Sequence, residues 1–136
     1  GLSLQAIADQ KLPDGFVDKL VQAPVLLFVF VDLSVVASFD SELDRVGVIS
    51  GASVYPFVWN ILLGARNEGL GGTLTTFVGG NEPQLKELLR VPGQYAFSAM
   101  IPLGKPVKQL TRLTRHSVES FASLETFDGL PLDPPA

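Results

Sequence analysis

The order of apolar and polar positions divides the chain into short, alternating helices and strands. Phe16, Val17, Leu20 and Val21 recur at helical spacing after the start signal Pro13-Asp14, and Pro24 ends that segment. Before it, Leu2, Leu4, Ile7 and Ala8 offer a helical face without a cap. Every position from Val25 to Val31 is apolar, the pattern of a strand buried on both faces. Leu33 to Gly47 has no period, carries Asp40, Glu42, Asp44 and Arg45, and reads as a loop. The main helix is Val48 to Glu68, where Val54, Phe57, Val58, Ile61, Leu62 and Ala65 recur at helical spacing. Tyr55, Trp59 and Leu63 put apolar bulk on its other side. A helix apolar all round is expected to be buried all round, which in so short a chain places it at a subunit interface. Pro56 predicts a kink or a break near its first turn, and Gly69 suits the position just past its end.

Gly72 to Val78 (GTLTTFV) reads as a strand with its threonines on one side, ended by Gly79-Gly80. Asn81 caps a short helix with Glu82 and Pro83 in its first turn and Leu85, Leu88 and Leu89 on its inner face. Tyr95 to Leu103 is the third strand, where Pro102 marks a strand end or an edge. Ser117 caps a short helix carrying Val118 and Phe121. The stretch 128–136 holds three prolines and is expected to be an extended tail. This alternation predicts an α/β or α+β sandwich formed by a single domain over residues 1–136.

Composition adds a partner and removes several functions. At 136 residues and 46% hydrophobic, with a mean hydropathy of +0.32, the chain is apolar for its size. Some of that surface is expected to be covered by another chain, most simply in a homodimer. The net charge of −4 argues against nucleic acid as a partner. Cysteine is absent, so there is no disulfide, thiol nucleophile or cysteine metal site. The longest apolar run, Ala23 to Val31, has nine residues. A membrane-spanning helix needs about 20. No secretory signal pattern opens the chain, so the expectation is a cytoplasmic protein without a membrane span.

Few residues offer chemistry. Gly69-Leu70-Gly71-Gly72 follows a helix and precedes a strand, the reverse of a dinucleotide-binding fingerprint, and reads as a helix end with a tight turn. In Leu74-Thr75-Thr76 the small hydroxyl residues leave backbone N–H groups open to a planar heterocycle; the competing reading is an ordinary half-polar strand. Lys105, Lys108, Arg112 and Arg115 are four of the ten basic residues, uninterrupted by an acid. They form either a phosphate-binding patch or a solvated loop. His116 is the one histidine and reads as structural. Phe57, Trp59, Phe77 and Phe97 read mostly as core. No catalytic triad and no metal-ligand spacing is present. If the chain is an enzyme, a cofactor carries its chemistry.

Two segments resemble the nitroreductase family. GASVYPFVWNILLGARNEGLGGTLTT, from Gly51 to Thr76, is similar to the family's core helix, Gly-Leu-Gly turn and following strand. From Gly93 to Glu119, a strand containing AFSAMIPLGKP leads into LTRLTRHSVE, like the family's strand, its Leu-Gly-x-Pro turn, and a basic stretch before a short helix. APVLLFVFVD fits the strand before the core helix, so the resemblance covers about residues 23–121. It implies an α+β sandwich with a central sheet and a long apolar core helix, paired as a homodimer with FMN at the interface. NAD(P)H would reduce the flavin, and a nitroaromatic, quinone or similar small-molecule acceptor would reoxidise it. The resemblance gives Leu74, Thr75 and Thr76 the flavin ring, mostly through backbone groups. Arg112 and Arg115 take the phosphate, with Arg115 the better fit, while Lys105 and Lys108 stay in solvent. The family's N-terminal Arg-rich segment and its Asn-bearing segment have no counterpart, since Gly1 begins after both. The expectation is a fragment or truncated product, or a site completed by another segment. Two alternatives stay open: a non-catalytic relative serving as a flavin-binding or interaction module, and an unrelated α/β interaction domain.

Overall fold

The structure, a computed structural model, describes residues 15–109 and 111–132. The readings made at Leu2–Ala8, at Pro13-Asp14 and at residues 133–136 lie outside that range. A short helix α1 (Phe16–Val21) leads into strand β1 (Val25–Asp32). After a loop and a 3-10 turn (Ile49–Gly51) comes helix α2 (Val54–Asn67). Strand β2 (Gly71–Gly72), a second 3-10 turn (Phe77–Asn81) and helix α3 (Glu82–Leu89) follow. Strand β3 (Tyr95–Gly104) and a last 3-10 turn (Val118–Ser120) complete the order. The architecture is α+β, with a small antiparallel sheet in the order β1-β3-β2.

The apolar run of β1 pairs along its whole length with β3, from Val25↔Leu103 to Asp32↔Tyr95. The register slips between Val29↔Ala99 and Phe30↔Phe97, which makes Ser98 the extra residue of a β-bulge. Successive β3 residues alternate between faces. Ala99 and Ile101 meet Val58 of α2 on one face, with Val29, Val54, Ile61, Leu62, Leu74 and Leu103 packed around them. Met100 is buried on the other face. Phe30 and Phe97 meet edge to face at 6.0 Å, and Phe16 meets Phe77 in the same way at 5.2 Å.

Pro102 corrects the expectation of an edge or a strand end. It lies inside the central strand, opposite Leu26. Gly71↔Gly104, Gly72↔Leu103 and Thr75↔Met100 share one register, which sets Thr73 opposite Pro102. Met100 exchanges hydrogen bonds with Thr75, so two residues on the proline faces the same side without an N–H. The ladder therefore breaks at Thr73. The strand expected over Gly72 to Val78 is reduced to Gly71–Gly72 and an isolated bridge at Thr75, and Phe77 and Val78 turn into the 3-10 segment.

The core helix starts later than its pattern predicts. Ile49–Gly51 forms a separate 3-10 turn, and Pro56 lies in the first turn of α2, where a missing N–H removes no intrahelical bond. The far end closes as expected at Gly69, which has a φ of 74°. Gly69 N–H donates to Arg66 O at 3.0 Å and Leu70 N–H to Ala65 O at 2.8 Å, the paired bonds of a Schellman motif. Burial all round does not hold within one chain. Val58 is the one fully buried residue of α2, while Phe57 is 57% and Trp59 60% exposed.

Two smaller readings are also corrected. On α3 only Leu85 is tucked in, and Leu88 and Leu89 are exposed. Lys86 covers that side instead, its Nζ donating to the carbonyls of Gly93 at 2.9 Å and Tyr95 at 2.5 Å. From Asp128 to Leu132, the described part of the stretch expected to extend, the chain folds back: Ser123 bridges Pro131, Leu124 N–H donates to Leu130 O, and Leu132 N–H to Ala122 O.

Candidate functional site

The site begins with backbone geometry at the open side of β3. Thr75 N–H donates to Met100 O at 3.0 Å and Thr75 O accepts from Met100 N–H at 2.8 Å. A trans peptide sets its C=O and N–H on opposite sides, so Leu74 O and Thr76 N–H turn away from β3, toward the sheet edge. Thr76 O accepts from Gly79 N–H at 2.8 Å. The Thr75 hydroxyl accepts from Phe77 N–H at 3.4 Å. Of the three residues read as ring-facing, Thr75 thus spends its backbone on the sheet, and Leu74 and Thr76 hold the outward positions.

Leu74 also lines a cavity of about 600 Å³, within the range of small-molecule sites. Its other walls include Trp59, Leu63 and Arg66 of α2, and Thr111 and Leu113 from the segment after β3. Trp59, Leu63 and Arg66 follow helical spacing, so one stripe of α2 forms one wall. A smaller cavity of about 220 Å³ adjoins it, sharing Leu62, Arg66 and Gly72 and reaching Lys108 and Gln109. The combined groove is apolar at the Trp59 end and basic at the Arg66 and Lys108 end.

The predicted phosphate residues belong to the segment that supplies the groove's Thr111 and Leu113 wall. Arg112 is exposed between the wall residues Thr111 and Leu113. Arg115 is exposed and donates from Nη1 to Thr114 O at 2.9 Å. Lys108, read as a solvent residue, lines the smaller cavity. His116 is exposed. The structure brings Leu74 to the walls that flank Arg112, while Thr75, Thr76, Arg112 and Arg115 themselves line neither cavity. Sequence reasoning assigned Trp59 mostly to the core and gave Arg66 no binding role. The signal that links them is their spacing with Leu62 and Leu63 on one face of α2.

Among the described residues, no carboxylate lines this groove. The carboxylates with displaced pKa values all lie elsewhere and are held ionised. Asp32 is lowered by bonds from the Ser34 hydroxyl and N–H, at 2.6 and 2.9 Å. Asp40 is lowered first by Val48 N–H and then by Arg45, and Glu119 by a backbone bond and Ser117. None is raised toward neutrality, as a general acid would be. The groove can hold and orient a flat, anionic molecule, and a bound group must supply the reaction.

The nitroreductase family model matches residues 2–105. The chain belongs to the nitroreductase family. That match spans α1 to the end of β3, including Leu74, Thr75 and Thr76, but stops short of Arg112 and Arg115. Among solved structures, NfrA2 from B. megaterium is similar, with a TM-score of 0.61 and 18% identity, over 84% of this chain and 53% of that one. Nitroreductase A from Vibrio parahaemolyticus RIMD 2210633 is similar at a TM-score of 0.52 and 19% identity, over 89% of this chain and 71% of that one. At such identities the likeness concerns the fold. The chain spans about half the length of NfrA2. No curated protein sequence matches it. Among the described residues, no helix is long and apolar enough to cross a membrane.

Proposed function

We propose that this chain acts as an FMN-dependent oxidoreductase in the cytoplasm, passing electrons from NAD(P)H to a nitroaromatic, quinone or similar small-molecule acceptor, and that it works as a homodimer. The observation that carries the reading is the Leu74 cavity in a chain of this family, with an open sheet edge on one side and a basic segment on the other. When bound, FMN would accept a hydride equivalent from the nicotinamide and give two electrons to the acceptor. The chain's own part is to bind and orient. Backbone groups of Leu74 and Thr76 meet the polar edge of the ring, and Trp59 and Leu113 keep water from its face. Arg112 and Arg115 hold the phosphate charge through guanidinium bonds. Phe57 and Trp59, exposed on either side of the buried Val58, support the dimer, since paired chains would cover them.

The deciding experiment is the flavin content of the purified protein, read from the absorbance released on denaturation. Stoichiometric FMN together with NAD(P)H-dependent quinone reduction supports the enzyme. Stoichiometric FMN without turnover favours the competing reading, a non-catalytic relative that holds flavin. Absence of flavin even after soaking with FMN removes the cofactor assignment and leaves an interaction module. Sedimentation of wild type and Phe57→Asp tests the dimer, which the variant should dissociate.

A further inference from the structure

A second cavity, of about 390 Å³, lies at the other end of α2 and shares no lining residue with the groove at Leu74. Val31, Val54 and Tyr55 give it apolar walls, Ser50 and Ser98 also line it, and Phe97, whose ring packs on Phe30 across the sheet, borders it through its backbone. Ser98 is the bulge residue of β3, and bulges re-aim side chains beside binding sites. Among the described residues, no charged side chain lines the cavity. An ionic ligand would lose its hydration there without gaining a counter-charge.

The remaining wall is loop backbone at Gly47 and Val48, and it is fastened. Asp40 is 2% exposed, and its Oδ2 accepts from Val48 N–H at 2.8 Å and from Arg45 Nη1 at 2.7 Å. Gly47 sits against the other carboxylate oxygen, 3.5 Å from where its Cβ would be. Arg45 Nη1 also donates to Val46 O at 2.9 Å. The charge of Asp40 is therefore answered behind the wall, and the lining stays neutral. On the opposite rim, Leu33 follows Asp32, whose carboxylate holds the turn through Ser34.

We propose that this cavity is a binding site for a small, uncharged aromatic molecule bearing a hydroxyl or carbonyl group, held by the walls at Val31, Val54 and Tyr55 and by hydrogen bonds from Ser50, Tyr55 or Ser98. Its volume lies near the lower end of small-molecule sites, which limits the ligand to one or two rings. An aromatic body matches the Tyr55 ring, and one polar substituent matches the hydroxyls. The inference stands on these residues whether or not flavin binds at Leu74.

The test titrates the full chain with 2-naphthol, a neutral fluorescent probe. The expected result is saturable one-site binding with a Kd on the order of 0.1–1 mM. Val48→Trp places bulk at the rim, where Val48 is 69% exposed and the core is undisturbed. It should weaken binding at least about tenfold. Tyr55→Phe keeps the ring and removes a hydroxyl, so it should weaken 2-naphthol by roughly threefold or more and leave naphthalene unchanged. No saturation by millimolar probe, wild-type affinity in both variants, or loss on Trp59→Ala instead would overturn the proposal.

Discussion

Thr75 and Met100 exchange both of their backbone hydrogen bonds, at 3.0 and 2.8 Å, and so join the site segment to the central strand. The exchange decides which groups remain for a ligand. Thr75 is held by the sheet, and the outward groups belong to Leu74 and Thr76. Thr75→Val keeps the exchange and the side-chain shape, losing only the 3.4 Å contact from Phe77 N–H. FMN affinity is expected to stay within about threefold of wild type. Thr75→Pro removes the N–H donated to Met100 and should lower stability by about 3 kcal/mol or more. Isothermal titration and chemical denaturation read the two effects separately. Loss of FMN binding in a stable Thr75→Val protein would assign the ring contact to the hydroxyl instead.

Two glycines should respond in opposite directions. A Cβ at Gly72 would lie 2.6 Å from Leu103 Cδ2 and 3.0 Å from Leu62 Cδ2, so the missing side chain lets β2 approach α2. Gly72→Ala should cost about 1–3 kcal/mol through overpacking. A Cβ at Gly64, inside α2, meets nothing within 4 Å. Gly64→Ala should stabilise the chain by about 0.5–1 kcal/mol through helix propensity. Urea midpoints at matched slope give the sign of each. Destabilisation by Gly64→Ala that deepens with protein concentration would mark Gly64 as part of a dimer contact.

The parts of this fold that follow a local rule were readable in the chain. β1 is apolar at every position before Asp32, Gly69 ends α2, and Pro83 lies in the first turn of α3, although Asn81 before it makes no side-chain cap bond. What could not be read depends on pairing between distant residues. Nothing local to GTLTTFV shows that Pro102 will stand opposite Thr73 and interrupt the ladder, so that segment keeps a strand's composition without a strand's bonds. The site was legible to the same degree. Leu74 was found through its neighbours in sequence. Trp59 and Arg66 share its cavity because α2 packs back over β2, a contact that no spacing within one segment encodes. Asp40 looked like one more acid in a polar loop, and its burial arises only when the chain returns at Val48.

The Asp40 fastening should be visible in acid. Val48 N–H, then Arg45, hold the folded carboxylate below its ordinary value of 3.8. A depressed folded pKa adds stability that is fully present above the unfolded value and lost as pH falls through the folded one. Asp40→Asn should therefore show a lower denaturation midpoint than wild type, by a constant margin above about pH 5. The margin should shrink from there toward lower pH. Asp32 and Glu119 are also lowered, but they titrate in both proteins and cancel in the difference. Limited proteolysis between Leu33 and Gly47 should follow the same pH course. A margin that grows in acid would show that the carboxylate is not held in its ionised form.

The phosphate assignment is tested by comparing FMN with riboflavin, which lacks only the phosphate. Arg115→Ala should weaken FMN by about tenfold or more and leave riboflavin unchanged, because a guanidinium bonded to a phosphate gives charge-assisted contacts that the sugar alcohol cannot. Arg112→Ala should act in the same direction. Lys108→Ala is expected to do much less, since a lysine offers a single point charge without the paired geometry. The position of Lys108 in the cavity with Arg66 makes this comparison informative. If Lys108→Ala removes the preference for FMN and Arg115→Ala does not, the phosphate lies at the Arg66 end of the groove. The segment from Thr111 to Arg115 would then serve as a wall rather than an anchor.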